Sequence, residues 1–268
     1  MELIDIGCNL THDSFDADRE EVIERARAAG VALMVVTGAS AAGSRMASEL
    51  ALAHPGVLFA TAGVHPHRAA SYDAETDALL RELATRDEVV AAGETGLDYF
   101  RNFSPREAQL AAFEAQLQIA IDSGLPAFLH LRDAHEDFHA LLKASRERLS
   151  DVVVHCFTGS RDELRAYLDL DCHIGITGWI CDERRGTHMK EYLSDIPVDR
   201  LMLETDAPYL KPRNLRPQVK SHRNEPRWLP WILGTLAACR GEHPQDLAAA
   251  TTANARRFFR LPAASASG

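Results

Sequence analysis

The side chains best suited to chemistry are two carboxylates and two histidines, each placed at the end of a short apolar run: Glu94, His130, His155 and Asp206. Short apolar runs bounded by turn-forming residues are typical of fully buried strands. A carboxylate at the end of such a strand is costly to desolvate unless a cation or a hydrogen-bond donor meets it. Imidazole and carboxylate are the ligand types of catalytic divalent-metal sites. We therefore expect a metal site if the fold brings these four strand ends together.

Each of these residues, taken alone, has a simpler structural explanation. Glu94 could pair with an arginine or cap backbone amides, and a single strand-end histidine is more often structural than metal-binding. The metal interpretation depends on the recurrence of the pattern in four strands. Asn9, His65 and His67 share the same placement at strand ends. His173 begins a strand, so it is expected at the opposite end of the molecule.

The elements that must position these residues alternate between strand and helix. Eight apolar segments are predicted to be strands: 3–6, 31–37, 57–63, 89–94, 126–130, 152–155, 173–176 and 201–204. Helical patterns separate them at intervals of roughly 25–30 residues, as expected for βα units. Eight such units in about 250 residues indicate an α/β fold, a (β/α)₈ TIM barrel, whose C-terminal strand ends form the face that carries active sites. An open doubly wound sheet is the alternative, disfavoured because no G-x-G-x-x-G follows the first strand.

Local signals add detail to this barrel. Ser104 is predicted to cap a helix that begins with Pro105, and Asp18 is predicted to start a capping box. A short helix is expected over 186–193, between the last two strands. No linker-like segment divides the chain, so one domain is predicted over residues 1–262, followed by a small-residue tail at 263–268 that is expected to be disordered.

Composition limits the class of protein. A formal net charge of −10 argues against a protein that coats nucleic acid with a wide basic surface, but not against an enzyme that handles one strand end. The stretch from Lys211 to Arg227 has six basic residues and three prolines, which predict a basic loop. This loop could contact phosphates or be an ordinary solvated loop.

Cellular context is predicted from cysteines and apolar content. The five cysteines include no C-x-x-C pair and are expected to be reduced thiols. No apolar run approaches the ~18 residues of a membrane span, and the acidic N-terminus lacks a signal-peptide pattern. We expect a cytoplasmic monomer with no membrane partner.

Several stretches together carry a family resemblance. They are DIGCNLT at 5–11, TAGVHPH at 61–67, GETGLD at 93–98, FLHLRDAH at 128–135, HCFTG at 155–159, GITGWICDERRG at 175–186, ETDAPYL at 204–210 and RNEP at 223–226. In these stretches, which cover nearly the whole chain in order, the sequence resembles the TatD family of metal-dependent deoxyribonucleases.

The resemblance implies a (β/α)₈ barrel of the metal-dependent hydrolase type that acts on DNA with Mg²⁺. It places metal ligands at Glu94, His130, His155 and Asp206. For one branch of the family it implies 3′-to-5′ exonuclease activity on single-stranded DNA, acceptance of RNA and a role in repairing oxidised DNA. The chain departs from the wider family at 7–9, where Gly-Cys-Asn replaces a His-x-His, a replacement that this branch shares.

A two-metal mechanism is the hypothesis that this ligand set motivates. Glu94 would bridge two ions about 3.5–4 Å apart, with His130 and His155 completing one position. Asp206, with help from Asn9, would hold a weaker second ion and orient the attacking water or accept its proton. One or two ions are therefore expected, with Mg²⁺ favoured and Mn²⁺ or Zn²⁺ as alternatives.

Candidate substrate contacts lie around the same face. His67, Asn9 and Arg132, together with Arg101 and the basic loop, could bind phosphates of a DNA or RNA end. Phe100 and Trp179 could stack on bases, although such aromatics more often pack on neighbouring loops.

Two other functions stay open from the sequence alone. One is an amidohydrolase or deacylase that uses the same barrel on a small or tRNA-linked substrate, because the metal ligands do not separate this chemistry from a nuclease. The other is a non-catalytic binding protein with a degenerate site, which only the missing His-x-His favours.

Overall fold

The computed structural model describes residues 1–216 and 221–262, and its framework is a sheet of eight parallel strands in chain order. The strands are β1 (Leu3–Cys8), β2 (Val31–Val36), β3 (Leu58–Ala62), β4 (Val89–Asp98), β5 (Ala127–Arg132), β6 (Val152–Val154), β7 (His173–Ile176) and β8 (Leu201–Leu203). Each strand pairs with the next, and β1 also contacts β8, so the sheet curves into a nearly closed barrel. This order confirms the predicted (β/α)₈ architecture and excludes the doubly wound sheet, whose strand order would reverse.

Helices surround the strands as one outer layer. Within the described residues they are α1 (Arg19–Ala28), α2 (Ala41–Ala53), α3 (Ala74–Leu83), α4 (Arg106–Ser123), α5 (His135–Ser145), α6 (Arg161–Asp169), α7 (Leu229–Arg240) and α8 (Pro244–Phe258). None of these helices is both long enough and apolar enough to cross a membrane. The tail at 263–268, and Pro217 and Lys220 of the predicted basic loop, lie outside the described residues.

Alternate strand residues divide the core into two layers, as the period of two in a strand requires. Ile4, Val35, Phe128 and Met202 belong to the cluster that fills the barrel, and Phe258 of α8 packs against the same cluster. The larger cluster lies between the strands and the surrounding helices.

The helix predicted over 186–193 is wrong, because this segment forms two 3₁₀ turns, Met189–Glu191 and Leu193–Asp195. Met189 and Leu193 are fully buried, and the second turn packs against α7. The need to bury both apolar side chains in so short a connection therefore favours two 3₁₀ turns over one regular helix.

Two predicted helix caps are also wrong. Ser104 does not cap α4, whose N-cap is Pro105. Its hydroxyl accepts from the Ala70 amide and donates to the His67 carbonyl, each at 3.1 Å, and so joins the loops after β3 and β4. Asp18 is the N-cap residue of α1 but makes no side-chain cap bond. Its carboxylate instead pairs with Arg25 and Arg223, because hydrogen bonds to a charged guanidinium are stronger than those to a neutral amide.

Strands β4 and β5 are longer than the sequence indicated, so Glu94 and His130 lie within these strands and not at their ends. β4 continues to Asp98 and β5 to Arg132, and the two strands stay paired to their ends. Gly96 makes this possible: its φ is +146°, and a Cβ there would lie 1.9 Å from the His130 carbonyl oxygen. Only glycine allows this approach.

Asp5 on β1 is a fully buried carboxylate that joins the first strand to the residues after the last one. Its Oδ1 accepts from the Thr205 amide at 2.9 Å and its Oδ2 from the Thr205 hydroxyl at 2.5 Å. Burial outweighs these hydrogen bonds and raises the pKa of Asp5 from 3.8 to about 8.

This pKa predicts how stability depends on pH. Because the folded pKa is raised, the contribution of Asp5 is fully present below pH 3.8 and is lost as pH rises through about 8. Asp5→Asn removes the titration but keeps an amide that can bond Thr205. We expect the unfolding free energy of Asp5→Asn, relative to the native chain, to rise by about 3 kcal/mol between about pH 5 and pH 8. Urea titrations of both proteins at each pH measure this, and a constant difference would contradict the raised pKa.

Candidate metal-dependent active site

Glu94 lies at the centre of the candidate site, where three imidazoles meet one of its oxygens. Its Oε1 lies 2.7 Å from His155 Nε2, 3.1 Å from His130 Nδ1 and 3.4 Å from His65 Nε2. The side chain of Glu94 is only 9% exposed. Strands β4 and β5 position Glu94 and His130, whereas His65 and His155 lie in the segments that follow β3 and β6.

The protonation of this cluster favours an ionised carboxylate. Burial opposes the charge on Glu94, but the electrostatic interactions with His65 and His155 and the hydrogen bonds from His130 and His155 hold its pKa well below the usual value. Burial lowers the pKa of His65 to about 3, so its ring is neutral near pH 7. A carboxylate anion and a neutral imidazole are metal-binding forms, and Glu94 and His65 favour them. At His130 and His155 the neighbouring carboxylates outweigh burial and raise the pKa.

Two further buried carboxylates, Glu204 and Asp98, lie behind the histidines, and the sequence analysis assigned no role to either. Glu204, fully buried just after β8, lies 3.2 Å from His155 Nδ1 and accepts from the Cys156 amide. Burial acts against protonation of His155, but the charges of Glu94 and Glu204 outweigh it and raise the pKa of His155 well above its usual value. Glu204 therefore fixes the orientation of the His155 ring, as carboxylates behind metal-binding histidines do.

Asp98 has the corresponding position beside His130 and His67. Its Oδ2 lies 2.6 Å from His67 Nε2 and 3.5 Å from His130 Nε2, which is buried without a hydrogen-bond partner. Burial disfavours the charged form, but the electrostatic interactions with His130 and His67 and the hydrogen bond from the Arg101 amide keep the pKa of Asp98 well below its usual value. Asp98 thus orients one predicted substrate-binding residue, His67, and faces one predicted metal ligand, His130.

Asp206 and Asn9 form a separate pair at the join between β8 and β1. Asn9 Nδ2 donates to Asp206 Oδ1 at 3.0 Å, and the Asp206 amide donates to the Gly7 carbonyl at 2.8 Å. Burial raises the pKa of Asp206 from 3.8 to about 7, with the Glu94 and Glu204 charges adding to it and His155 opposing it. The two predicted residues are therefore brought together, with Asn9 holding one oxygen of Asp206.

The other predicted contact residues occupy different surroundings. Arg132 stacks between two aromatic rings, 4.2 Å from the Phe100 centroid and 5.6 Å from the Trp179 centroid. Arg223 of the basic loop forms ion pairs with Asp18 and Glu225. These pairs tie Arg223 to α1 and to its own loop, so at least this residue is not the solvated cation that the composition of the loop suggested.

The donor atoms fit a divalent cation. One atom each from His65, Glu94 and His130 lies within 4.8 Å of the others, which is the spacing of ligands around one ion. His65 was not among the predicted ligands, although its position after β3 in the TAGVHPH stretch could have indicated it. His155 contacts Glu94 but does not belong to this closest group, and neither does Asp206. The predicted ligand set stays a prediction, to which His65 is an addition.

Comparisons with known proteins agree with this geometry. The profile of the family described as TatD related DNase matches residues 4–260. A protein of Erwinia billingiae named 3′-5′ ssDNA/RNA exonuclease TatD is 51% identical over 97% of this chain and 100% of its own length. A protein of the same name from Rahnella sp. is 54% identical, with 97% and 99% covered.

A solved structure, a TatD homologue from Escherichia coli K12, has a TM-score of 0.88 and 29% identity, covering 97% of this chain and 98% of that one. Similarity therefore extends through sequence and fold over nearly the full length, including every strand that carries a candidate site residue. The chain belongs to the TatD-related DNase family.

Proposed function

We propose that this chain hydrolyses phosphodiester bonds as a metal-dependent 3′-to-5′ exonuclease on the ends of single-stranded DNA and RNA. The observation that carries the proposal is the buried carboxylate of Glu94, which three imidazoles meet on the face where barrel enzymes build their active sites. The printed names of the relatives at 51% and 54% identity support the substrate and the direction of cleavage.

The residues proposed to hold the metal are Glu94, His130, His155 and Asp206, with His65 as the addition. When bound, a divalent cation supplies positive charge that stabilises the developing charge on the phosphate. One oxygen of Glu94 lies within 3.4 Å of a ring nitrogen of His65, His130 and His155, so Glu94 is the best candidate to be shared between two ions. Glu204 and Asp98 keep the imidazoles of His155 and His130 in place.

Asp206 is proposed to act on the proton of the attacking water. Burial raises the pKa of the metal-free Asp206 carboxyl to about 7, which makes it a stronger base than an exposed aspartate. Asn9 holds one oxygen of the carboxylate at 3.0 Å and leaves the other for the water. Asn9 therefore acts mainly through Asp206.

His67 and Arg132 are proposed to bind the substrate phosphate. The ring of His67 is held by Asp98 and is about one-third exposed, so it borders the mouth of the site. Among the described residues Arg132 forms no ion pair, which leaves its guanidinium available to a phosphate oxygen.

Several finer points are part of the same proposal. Mg²⁺ is the proposed ion because substrate phosphate adds the oxygen ligands that it prefers, whereas Mn²⁺ and Zn²⁺ also suit imidazole. The five cysteines are free, which is typical of a reducing compartment and supports a cytoplasmic location. We further propose that the protein is a monomer and that it acts in DNA repair or turnover.

A cleavage assay tests the proposed function. Purified protein is incubated with 5′-labelled single-stranded DNA and Mg²⁺, beside His130→Ala and Glu94→Ala. We expect a descending ladder of products from the native protein and none from either variant. Equal ladders from all three proteins would indicate a contaminating nuclease. Absence of cleavage by the native protein, with hydrolysis of acyl or amide substrates, would instead support the amidohydrolase or deacylase.

A further inference from the structure

A row of alternating rings and guanidinium groups leads away from Glu94 across the top of the barrel. Arg132 follows His130 by two residues on β5, so both side chains lie on the same side of that strand. Phe100 and Trp179 stack on Arg132 from different loops, and Arg185 lies 4.3 Å over the Trp179 ring. The row therefore connects the candidate metal ligands to the loop after β7.

The row ends in a pocket of about 360 Å³ formed by the loops after β7 and β8. Its lining is mostly cationic or aromatic, and the residues that matter here are Trp179, Arg184, Arg185, Lys211, Arg213 and His222. The two loops are in close contact, as shown by the Leu210 carbonyl oxygen, which would lie only 2.2 Å from a Cβ placed on Gly178. The pocket is thus built on packed loops at the same face as the candidate site.

Positive charge is concentrated at this pocket. Four Lys or Arg side chains line it against one carboxylate, Asp182, in a chain whose net charge is −10. Asp182 is almost fully buried and holds both Arg184 and Arg185 at about 3 Å, which fixes their guanidinium groups at the wall. Arg213 lies 3.7 Å from Asp182 and pairs more closely, at 3.2 Å, with the exposed Glu183, an interaction that a phosphate can replace at small cost.

We infer that this pocket, together with the row of rings, binds the part of a single strand that lies on the 5′ side of the bond to be cut. This inference rests on the proposed function and extends it to a second binding site. The guanidinium groups of Arg184, Arg185 and Arg213 bind backbone phosphates, and Phe100 and Trp179 stack on bases. Stacking on rings beside a cationic groove is the usual way in which proteins bind single strands without regard to sequence.

The site explains how a strongly acidic protein can hold a polyanion. Repulsion from the negatively charged surface is offset locally where cations are concentrated, and the loops after β7 and β8 supply that concentration. A dinucleotide reaches only the metal-proximal residues, whereas a longer strand reaches the pocket as well. Affinity should therefore increase with strand length.

Binding of strands of different length tests the inference. Fluorescence anisotropy is measured with the Mg²⁺-loaded protein, a dinucleotide and a hydrolysis-resistant phosphorothioate thymidine strand of about 12 nucleotides. The Arg184→Ala/Arg213→Ala double variant is expected to bind the longer strand about tenfold more weakly, with a smaller loss for the dinucleotide. Its slope of log K against log salt should be shallower by about 0.7 for each phosphate contact removed.

A matched control removes the same charge elsewhere. Arg27 and Arg165 are exposed residues of α1 and α6 that, within the described part of the chain, pair only with neighbouring acids of their own helices, so the Arg27→Ala/Arg165→Ala double variant should bind as the native protein does. Phe100 is 55% exposed, so Phe100→Ala tests stacking with little risk to folding and should weaken strand binding about tenfold.

Two results would overturn the inference: equal losses in the pocket and control variants, or no gain in affinity from dinucleotide to longer strand. Failure of the nuclease proposal is seen separately, because the cleavage assay uses none of the pocket variants. A protein that cuts DNA but shows no length dependence would keep the nuclease and lose this pocket.

Discussion

Glu94→Gln is expected to reduce cleavage of single-stranded DNA by at least about 10³-fold. The substitution keeps the shape of the side chain but replaces the anion on which His65, His130 and His155 converge. If Glu94 is shared between two ions, both metal positions are weakened at once. The loss should therefore exceed that of Asn9→Ala, or of either His130→Ala or His155→Ala alone.

Two measurements separate this prediction from general damage to the fold. Single-turnover cleavage of 5′-labelled DNA gives the rate, and calorimetric titration with Mg²⁺ or Mn²⁺ gives the metal affinity, which should fall together with the rate. Glu24→Gln on the exposed surface of α1 is the control and should behave as the native protein. Near-native activity in Glu94→Gln would refute the bridging role.

Gly96→Ala is expected to have the largest effect on stability, a loss of at least about 4 kcal/mol in the unfolding free energy. The new Cβ would overlap the His130 carbonyl oxygen, and the φ of +146° is strained for any residue with a Cβ. Relief requires β4 and β5 to separate beside Glu94, so activity should fall as well. Urea unfolding measures the first effect and DNA cleavage the second.

Gly124→Ala is the matched control for backbone strain alone. Gly124 ends α4 with a φ of +69°, but nothing lies within 4 Å of a Cβ placed there. Its substitution should cost only about 1 kcal/mol. Similar losses at the two positions would mean that close approach of the strands is not what requires Gly96. If Gly96→Ala yields too little folded protein for urea unfolding, the yield of folded protein relative to Gly124→Ala gives the same comparison.

The barrel could be predicted from the sequence because its signals are local. Each strand is a short apolar run with its own boundaries, and the regular alternation with helices leaves few possible topologies. Boundaries were less certain where partners decided them. β4 continues past Glu94 because residues up to Asp98 pair with β5, which no pattern within β4 itself indicates.

The interior of the candidate site was harder to predict because its contacts join distant parts of the chain. Glu204 meets His155 across 49 residues, and Glu94 meets His155 across 61. Sequence patterns placed Glu94 and His155 on one face and Glu204 at the end of the last strand, but they did not distinguish a carboxylate that contacts several imidazoles from one that supports a single ring. Asp18 failed as a cap for the same reason, since its partner Arg223 is 205 residues away.

The contact between Asn9 and Asp206 can form only late in the synthesis of the chain. The two residues are separated by 197 positions in the chain, so a ribosome working at about 5–20 residues per second needs about 10–40 s to pass from one to the other. Until β8 has emerged and docked beside β1, the nascent chain has the histidines and Glu94 but lacks Asp206. Under the proposed function, in which Asp206 takes part in cleavage, a partly synthesised copy would not cut the messenger RNA from which it is being translated.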